Sequence, residues 1–369
     1  MTTAEIALRA LIVGFTISMV IITGFAYTTL LERKLLARLQ ARIGPNRAGY
    51  LPIPRRGGGS ERKLLGGIMQ PAADAVKLFF KEDATPARVD WIVYNLAPML
   101  TVIPAVVVLA VIPWTSAINI FGAQFDPYFA IAPGINVGAI FILAITSIAV
   151  YGVVLAGWSS NSKYAVLGGI RASAQMISYE LALGLTLLIP IMLADSMNLN
   201  EIVQAQADGW FVLRQPIAAV VFWIAILAEL QRAPFDLLEA EQELSAGYTV
   251  EYGGMRFGMF FMAEYMKMVI FSALMAVFFF GGYRGPFIDQ APALGFLYIG
   301  IKIFFGLFLM IWIRASLPRL RYDQLMSLGW KWMLPIAVLN FILVAVFIVL
   351  GEEGFFDSMF NSLRLFFGL

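Results

Sequence analysis

The sequence contains no cysteine and no histidine among its 369 residues. Iron–sulfur clusters are held by cysteine thiolates and haem iron most often by histidine, so this composition argues against a redox centre bound by the chain. The absence of cysteine also excludes disulfide bonds. Charged residues are scarce, at 14%, and the formal net charge of +2 gives no indication of a nucleic-acid partner. Any proton transfer would depend on Glu, Asp, Lys and Tyr side chains and on water.

Hydrophobic residues, in contrast, make up 60% of the chain, and the mean hydropathy is +0.80. Such values exclude an ordinary soluble domain. The sequence predicts an all-α polytopic membrane protein with about eight transmembrane helices plus interfacial amphipathic helices, in a single integral membrane domain over residues 1–369. The predicted spans are 6–31, 93–113, 136–158, 172–193, 215–231, 257–281, 295–316 and 332–350. No internal repeat is visible, which weakens the case for an inverted-repeat transporter.

The segment 63–81 follows a different pattern from the spans. Apolar residues recur in it at helical spacing, with Asp74, Lys77 and Lys81 set between them, so it is too polar to cross the membrane. This pattern predicts an amphipathic helix lying at the membrane surface. The same spacing also fits a helix that serves only to pack against the rest of the protein.

The distribution of Lys and Arg predicts the orientation of the chain. These residues are concentrated in the loops after the first, third, fifth and seventh predicted spans. The even-numbered loops and both termini hold only Arg9, Arg214, Arg284 and Arg364. Because positive loops stay on the cytoplasmic side, we expect the odd-numbered loops in the cytoplasm and both termini on the outer side.

One stretch, 228–251, holds a dense run of carboxylates at the end of an apolar span. The acids are Glu229, Asp236, Glu239, Glu241, Glu243 and Glu251. Pro234 must break or kink the helix that enters this stretch, because proline lacks an N–H. In a helix over 235–246, Asp236, Glu239 and Glu243 would share one face, and like charges so close resist joint ionisation. At least one of their pKa values should therefore rise, and a carboxyl group with a raised pKa can hold or release a proton, as a relay requires. A solvated acidic loop within 232–256 fits the same pattern.

Several charged residues also lie inside the predicted spans. They include Glu180, Glu229, Glu264, Lys267 and Lys302. Each costs about 3 kcal/mol in hydrocarbon, so each should face the bundle interior with a partner or water. Glu264 and Lys267 are three residues apart and could simply neutralise each other. The unpaired acids near the carboxylate run favour a polar path from the cytoplasmic surface into the membrane.

Long motifs of the chain match a known family. They lie at residues 32–47 (ERKLLARLQARIGPNR), 70–82 (QPAADAVKLFFKE), 157–164 (GWSSNSKY), 171–180 (RASAQMISYE), 228–254 and 314–326 (RASLPRLRYDQLM). With these motifs in this order, the chain closely resembles the membrane subunits at the heel of respiratory Complex I, the proton-pumping NADH:quinone oxidoreductase. The likeness extends over most of the chain.

The resemblance implies a role in the quinone chamber of the membrane arm. It implies a quinone entrance framed by 6–31, 63–81 and 257–281. The chamber or entrance residues it implies are Arg33, Arg42, Asp236, Glu239, Glu241, Glu243 and Glu251. The family's acidic proton path maps onto Glu180, Glu229 and Glu264, and we add Lys267 as the neighbouring charge. No catalytic residue and no metal ligand is assigned.

The resemblance also implies the partners and the location of the chain. Quinone would be the substrate, and iron–sulfur clusters and FMN would lie in partner subunits, with no cofactor bound by this chain. The partners would be peripheral-arm subunits carrying the terminal iron–sulfur cluster, other membrane-arm subunits and the lipid of the cell inner membrane.

The chain departs from the family pattern in two places. Residues 52–63 replace a shorter turn, and Leu230 and Gln231 stand where the family commonly has Thr and Asn. Two alternative functions stay open: the homologous subunit of a membrane-bound hydrogenase or other non-NADH dehydrogenase, and a stand-alone ion transporter.

Overall fold

A computed structural model describes residues 3–46, 51–53, 62–64, 67–120, 123–132, 135–236 and 247–352. The described helices are α1 (Thr3–Leu39), α2 (Gln70–Phe80), α3 (Trp91–Val108), α4 (Gly138–Ser159), α5 (Lys163–Ala194), α6 (Leu199–Ala205), α7 (Phe211–Arg214), α8 (Pro216–Glu229), α9 (Gly254–Phe279), α10 (Leu294–Ser316), α11 (Tyr322–Ser327) and α12 (Leu334–Glu352). A 3₁₀ turn, Gly247–Thr249, precedes α9, and a π-helical turn, Leu328–Met333, joins α11 to α12. The predicted fold class, an all-α polytopic membrane protein, is confirmed.

The described helices include seven that are long and apolar enough to cross a membrane, and the predicted span 215–231 differs from them. Its helix, α8, has only 14 residues, about 21 Å at ~1.5 Å per residue, against a hydrocarbon core of ~30 Å. Pro216 begins the helix, where proline is well tolerated. Gln231 has a positive φ of 54° and Pro234 follows, so the helix ends there. The predicted span 215–231 thus corresponds to a shorter apolar helix than the other seven, and its crossing of the membrane stays a prediction.

The surface helix, predicted over 63–81, begins later in the structure. Strands β1 (Leu51–Ile53) and β2 (Arg62–Leu64) pair antiparallel, and α2 starts only at Gln70. Gly67 has a φ of 90°, a left-handed conformation that favours glycine, and Pro71 stands at the start of the helix. The described residues between 63 and 69 thus form the end of a strand and a turn instead of a helix.

A second hairpin joins α3 to α4 and was not predicted from the sequence. Its strands are β3 (Thr115–Ile120) and β4 (Ala123–Phe129), which pair antiparallel with an irregularity between Ser116 and Ile118. The Thr115 hydroxyl donates to the Pro292 carbonyl, so the hairpin is attached to the segment that leads into α10.

The core lies along α9, which is buried over most of its length and packs against α3, α8 and α10. Small residues allow the helices beside it to approach closely. At the crossing of α4 and α5, a Cβ on Gly157 would lie 2.6 Å from the Ala165 carbonyl oxygen, too near for any side chain. Small residues at helix crossings are typical of membrane bundles.

One buried amide ties three elements together at the end of α9. The Gln206 Nε2 donates to the carbonyls of Val277 (2.8 Å) and Ile202 (3.2 Å). Its Oε1 accepts from the backbone N–H groups of Gly281 (2.8 Å) and Phe211 (3.3 Å). The side chain thus joins α6, the start of α7 and the chain that leaves α9.

Candidate functional site

An apolar cavity of about 240 Å³ lies between α1, α2 and α9. Its walls are Phe25, Ala26 and Thr29 of α1, Pro71, Ala75, Leu78 and Phe79 of α2, and Met255, Phe257, Gly258, Phe261 and Met262 of α9. Arg33, Asp74 and Lys77 are its charged lining residues, and the Arg33 Nη1 lies 2.8 Å from the Asp74 Oδ2. The cavity is therefore a site for a mainly apolar molecule with a polar group at one rim.

A second, polar cavity lies on the other face of α9. It measures about 30 Å³, enough for about one or two water molecules. Its polar lining consists of Glu229, Gln231, Glu264 and Lys267, with Thr101 and Tyr248. Phe260 and Ala263 line it from α9, whereas the neighbouring Phe261 and Met262 line the apolar cavity. One helix therefore separates the two cavities.

Glu229 ends α8 at the wall of the polar cavity. The residue is 5% exposed, and its Oε2 has no hydrogen-bond partner in the described part of the chain. Lys267 and Glu180 both interact electrostatically with it. Glu180 in turn accepts a hydrogen bond from the Ser147 hydroxyl of α4. The structure thus brings Glu180 of α5 close to Glu229 of α8, and Glu229 lines a space that can hold water.

Glu264 belongs to the polar cavity and also to a buried ion network. Its Oε1 lies 2.7 Å from the Arg232 Nε, and the Arg232 Nη1 donates to the Glu32 Oε1 at 3.1 Å. Arg314 donates to the same Glu32 oxygen. The Arg232 guanidinium also lies over the Tyr265 ring, 4.5 Å from its centroid. Arg232 is therefore the main partner of Glu264, and mutual neutralisation of Glu264 and Lys267 alone does not describe this site.

Arg232 keeps its charge although it is 4% exposed. Burial alone would lower its pKa, but Glu264 and Glu32 outweigh burial, and the pKa is raised above its ordinary value. Sequence reasoning missed Glu32, Arg232 and Arg314 as site residues. The available signal was their position, because each is a charged residue at or near the end of an apolar helix.

The loop after α8 is held in place by α5. The Gln175 Nε2 donates to the carbonyls of Ala228 (2.8 Å) and Phe235 (3.0 Å), on either side of the chain turn. Asp236, 5% exposed, follows this clamp, and its Oδ2 lies 3.2 Å from the Arg319 Nη2. The loop residues Arg232 and Asp236 are therefore fixed to α5 and to the segment after α10.

The remaining predicted residues lie apart from this loop. Glu239, Glu241 and Glu243 lie outside the described residues. The Glu251 carbonyl accepts a hydrogen bond of 2.6 Å from the Tyr94 hydroxyl, which places Glu251 beside α3. Arg42 is exposed beyond the end of α1, and its Nε donates to the Gln40 Oε1 at 2.7 Å. It is not among the lining residues of the apolar cavity.

Comparison with known proteins places the chain in one family. The sequence profile described as NADH dehydrogenase matches residues 12–345. An NADH-quinone oxidoreductase subunit of Geobacter metallireducens is 45% identical over 334 residues, which cover 88% of this chain and 91% of that protein. The NADH-quinone oxidoreductase subunits of Protochlamydia amoebophila (46% identity, 88% and 93% covered) and Deinococcus deserti (46%, 92% and 82%) are similar to it as well. With matches over most of its length, the chain belongs to the NADH dehydrogenase family, among the membrane subunits of NADH-quinone oxidoreductase.

Proposed function

We propose that the chain is the membrane subunit of a proton-translocating NADH:quinone oxidoreductase that builds the quinone chamber. In this role it forms the chamber with peripheral-arm subunits and links quinone reduction to proton translocation. The names of the relatives support membership of such an oxidoreductase complex. Quinone is the substrate, and the iron–sulfur clusters and FMN are assigned to partner subunits. Other membrane-arm subunits and the bilayer complete the surroundings of the chain.

The apolar cavity is the observation that carries the proposal. It lies between the three elements that the resemblance implies for the quinone entrance, namely the first span, the surface helix and the sixth span. A quinone has a long isoprenoid tail and a head with two carbonyl oxygens. The Phe, Leu and Met side chains fit the tail, and Arg33 at the rim supplies hydrogen-bond donors for an oxygen.

The proton path is proposed for the other face of α9. Glu229, Glu264 and Lys267 line the polar cavity, and Glu180 interacts electrostatically with Glu229 and Lys267. The acids Asp236, Glu239, Glu241, Glu243 and Glu251, with Arg42, are assigned to the chamber side. A charge change in the chamber would act on Glu264 through Arg232, since Arg232 binds both Glu32 beside Arg33 and Glu264. The chain is assigned to the cell inner membrane, with odd-numbered loops in the cytoplasm and both termini outside.

A tail-length experiment tests the entrance. Ala75 is exposed on α2 and lines the apolar cavity, so Ala75→Trp would narrow the cavity without disturbing the core. Turnover with a long-tailed quinone should fall more than turnover with a short-tailed analogue, because only the long tail must thread the cavity.

Ala72→Trp is the matched control. Ala72 is also exposed on α2 but does not line the cavity, so this variant should leave the ratio of the two rates unchanged. Equal slowing of both quinones by Ala75→Trp, or an identical effect of the two variants, would contradict the proposed entrance.

A further inference from the structure

A third cavity, of about 590 Å³, forms a groove between α8, α9 and α10. We call it the α8–α10 groove. It lies away from the two cavities described above, since it uses α9 from Ser272 onward, whereas they use α9 only up to Lys267. The groove has an open side, because Val220, Ile301 and Phe305 are 58%, 55% and 52% exposed.

The walls of the groove extend for about two helical turns. Lining residues recur at helical spacing from Pro216 to Trp223 on α8 and from Lys302 to Leu309 on α10. Helix α9 supplies Met275 and Ala276. Apart from Lys302 at one end, the lining is almost entirely apolar, so the groove is long, apolar and charged at a single end.

Lys302 sits at the end of the groove where α9 stops. Its ammonium donates to the carbonyls of Gly282 (2.6 Å) and Arg284 (2.8 Å), and lies 5.6 Å from the centroid of the Trp210 ring. An ammonium has three N–H donors, so one remains for a further acceptor. No carboxylate lines the groove or pairs with Lys302 in the described part of the chain. Arg284, in the loop whose carbonyls Lys302 binds, carries a second positive charge.

We propose that the α8–α10 groove binds an anionic phospholipid, with an acyl chain along the apolar walls and the phosphate at Lys302. The polarity of the groove matches that of a lipid, because its charged end lies where the helices meet the loop 280–293 and its apolar walls continue along the membrane-spanning helices. A phosphate oxygen would accept a hydrogen bond from the remaining N–H of Lys302, and its negative charge would balance that of the ammonium. A packed helix of another subunit could also cover the walls, but it would exclude lipid from the groove.

Photo-crosslinking in the intact, reconstituted complex tests this assignment. The probes are phosphatidylglycerol and phosphatidylcholine with the same diazirine-bearing acyl chain, and labelled peptides are identified by mass spectrometry. Groove peptides should be labelled about fivefold more by phosphatidylglycerol, as expected for one cation facing an anionic headgroup. The probe readout is independent of quinone turnover, so its failure is distinguishable from failure of the proposed function.

Three variants separate charge from shape. Lys302→Gln keeps two N–H donors for the loop carbonyls but removes the charge, so the preference for phosphatidylglycerol should vanish. Val220→Trp should reduce labelling by both lipids, since Val220 lines the groove. Ile217→Trp should change neither, because Ile217 is similarly exposed on α8 but does not line the groove. Equal labelling by both lipids in the wild type, or no labelling because another subunit covers the groove, would overturn the assignment.

Discussion

At the scale of single residues, Glu229 is an acid in an unusual environment. It is buried, and its Oε2 has no partner among the described residues, beside a space for water. We expect Glu229→Gln to reduce quinone-dependent turnover and proton pumping by about 100-fold, because an amide keeps the shape but cannot exchange a proton. Assembly should be unaffected. Glu201→Gln, at an exposed acid of α6, is the control and should behave as wild type. Wild-type pumping by Glu229→Gln would remove this residue from the path.

Two neighbouring residues of α1 allow a direct comparison of buried and exposed ion pairs. Glu32, 3% exposed, binds Arg232 and Arg314, whereas Arg33 and Asp74 pair with side chains 44% and 27% exposed. Glu32→Gln should destabilise the protein by about 3–5 kcal/mol, because it leaves buried arginines short of a counter-charge. Asp74→Asn should change stability by at most about 1 kcal/mol. Thermal unfolding of the purified complex measures both, and equal effects would contradict the buried network.

The site residues predicted from the sequence are recognisable locally, whereas those that the structure adds depend on partners far away in the chain. Glu180, Glu229 and Glu264 could be selected because a charge inside an apolar run is visible locally. The partnership of Glu32 with Arg232 joins residues 200 positions apart, so no local spacing reveals it. For the same reason, the sequence could pair Glu264 with Lys267 but not with Arg232.

At the scale of elements, long apolar helices were predictable from hydropathy, whereas helix ends were not. Helix α8 stops short because of Gln231 and Pro234, and its apolar run continues into a turn that Gln175 holds from another helix. The hairpin β3–β4 is attached to the α10 segment through Thr115. Both features involve tertiary contacts, which hydropathy does not report.

The Gln206 amide, which joins three elements, provides a test at this scale. Gln206→Met fills a similar volume but removes all four hydrogen bonds, leaving backbone groups buried and unpaired. We expect a loss of at least about 2 kcal/mol of stability. Gln290→Met, at an exposed position, should have almost no effect. A thermal unfolding curve for Gln206→Met that superimposes on that of the wild type would show that these bonds contribute little.

At the scale of the whole molecule, the absence of cysteine makes the orientation directly measurable. Single cysteines can be introduced at Thr85, between α2 and α3, and at Asp208, between α6 and α7, and both positions are exposed. A membrane-impermeant maleimide should label Thr85→Cys only in inside-out vesicles and Asp208→Cys only in right-side-out vesicles. The unmodified chain is the control and should remain unlabelled. Labelling of both variants from one side would contradict the proposed topology.

The buried network of Glu32 also imposes an order of events during synthesis. Its partners Arg232 and Arg314 follow 200 and 282 residues later in the chain. At about 5–20 residues per second, the ribosome reaches the first of them about 10–40 s after Glu32. During that interval an unpaired acid is more favourable in water than among apolar helices. We therefore expect the Glu32 end of α1 to remain at the membrane surface and to dock fully only after α10 has been inserted.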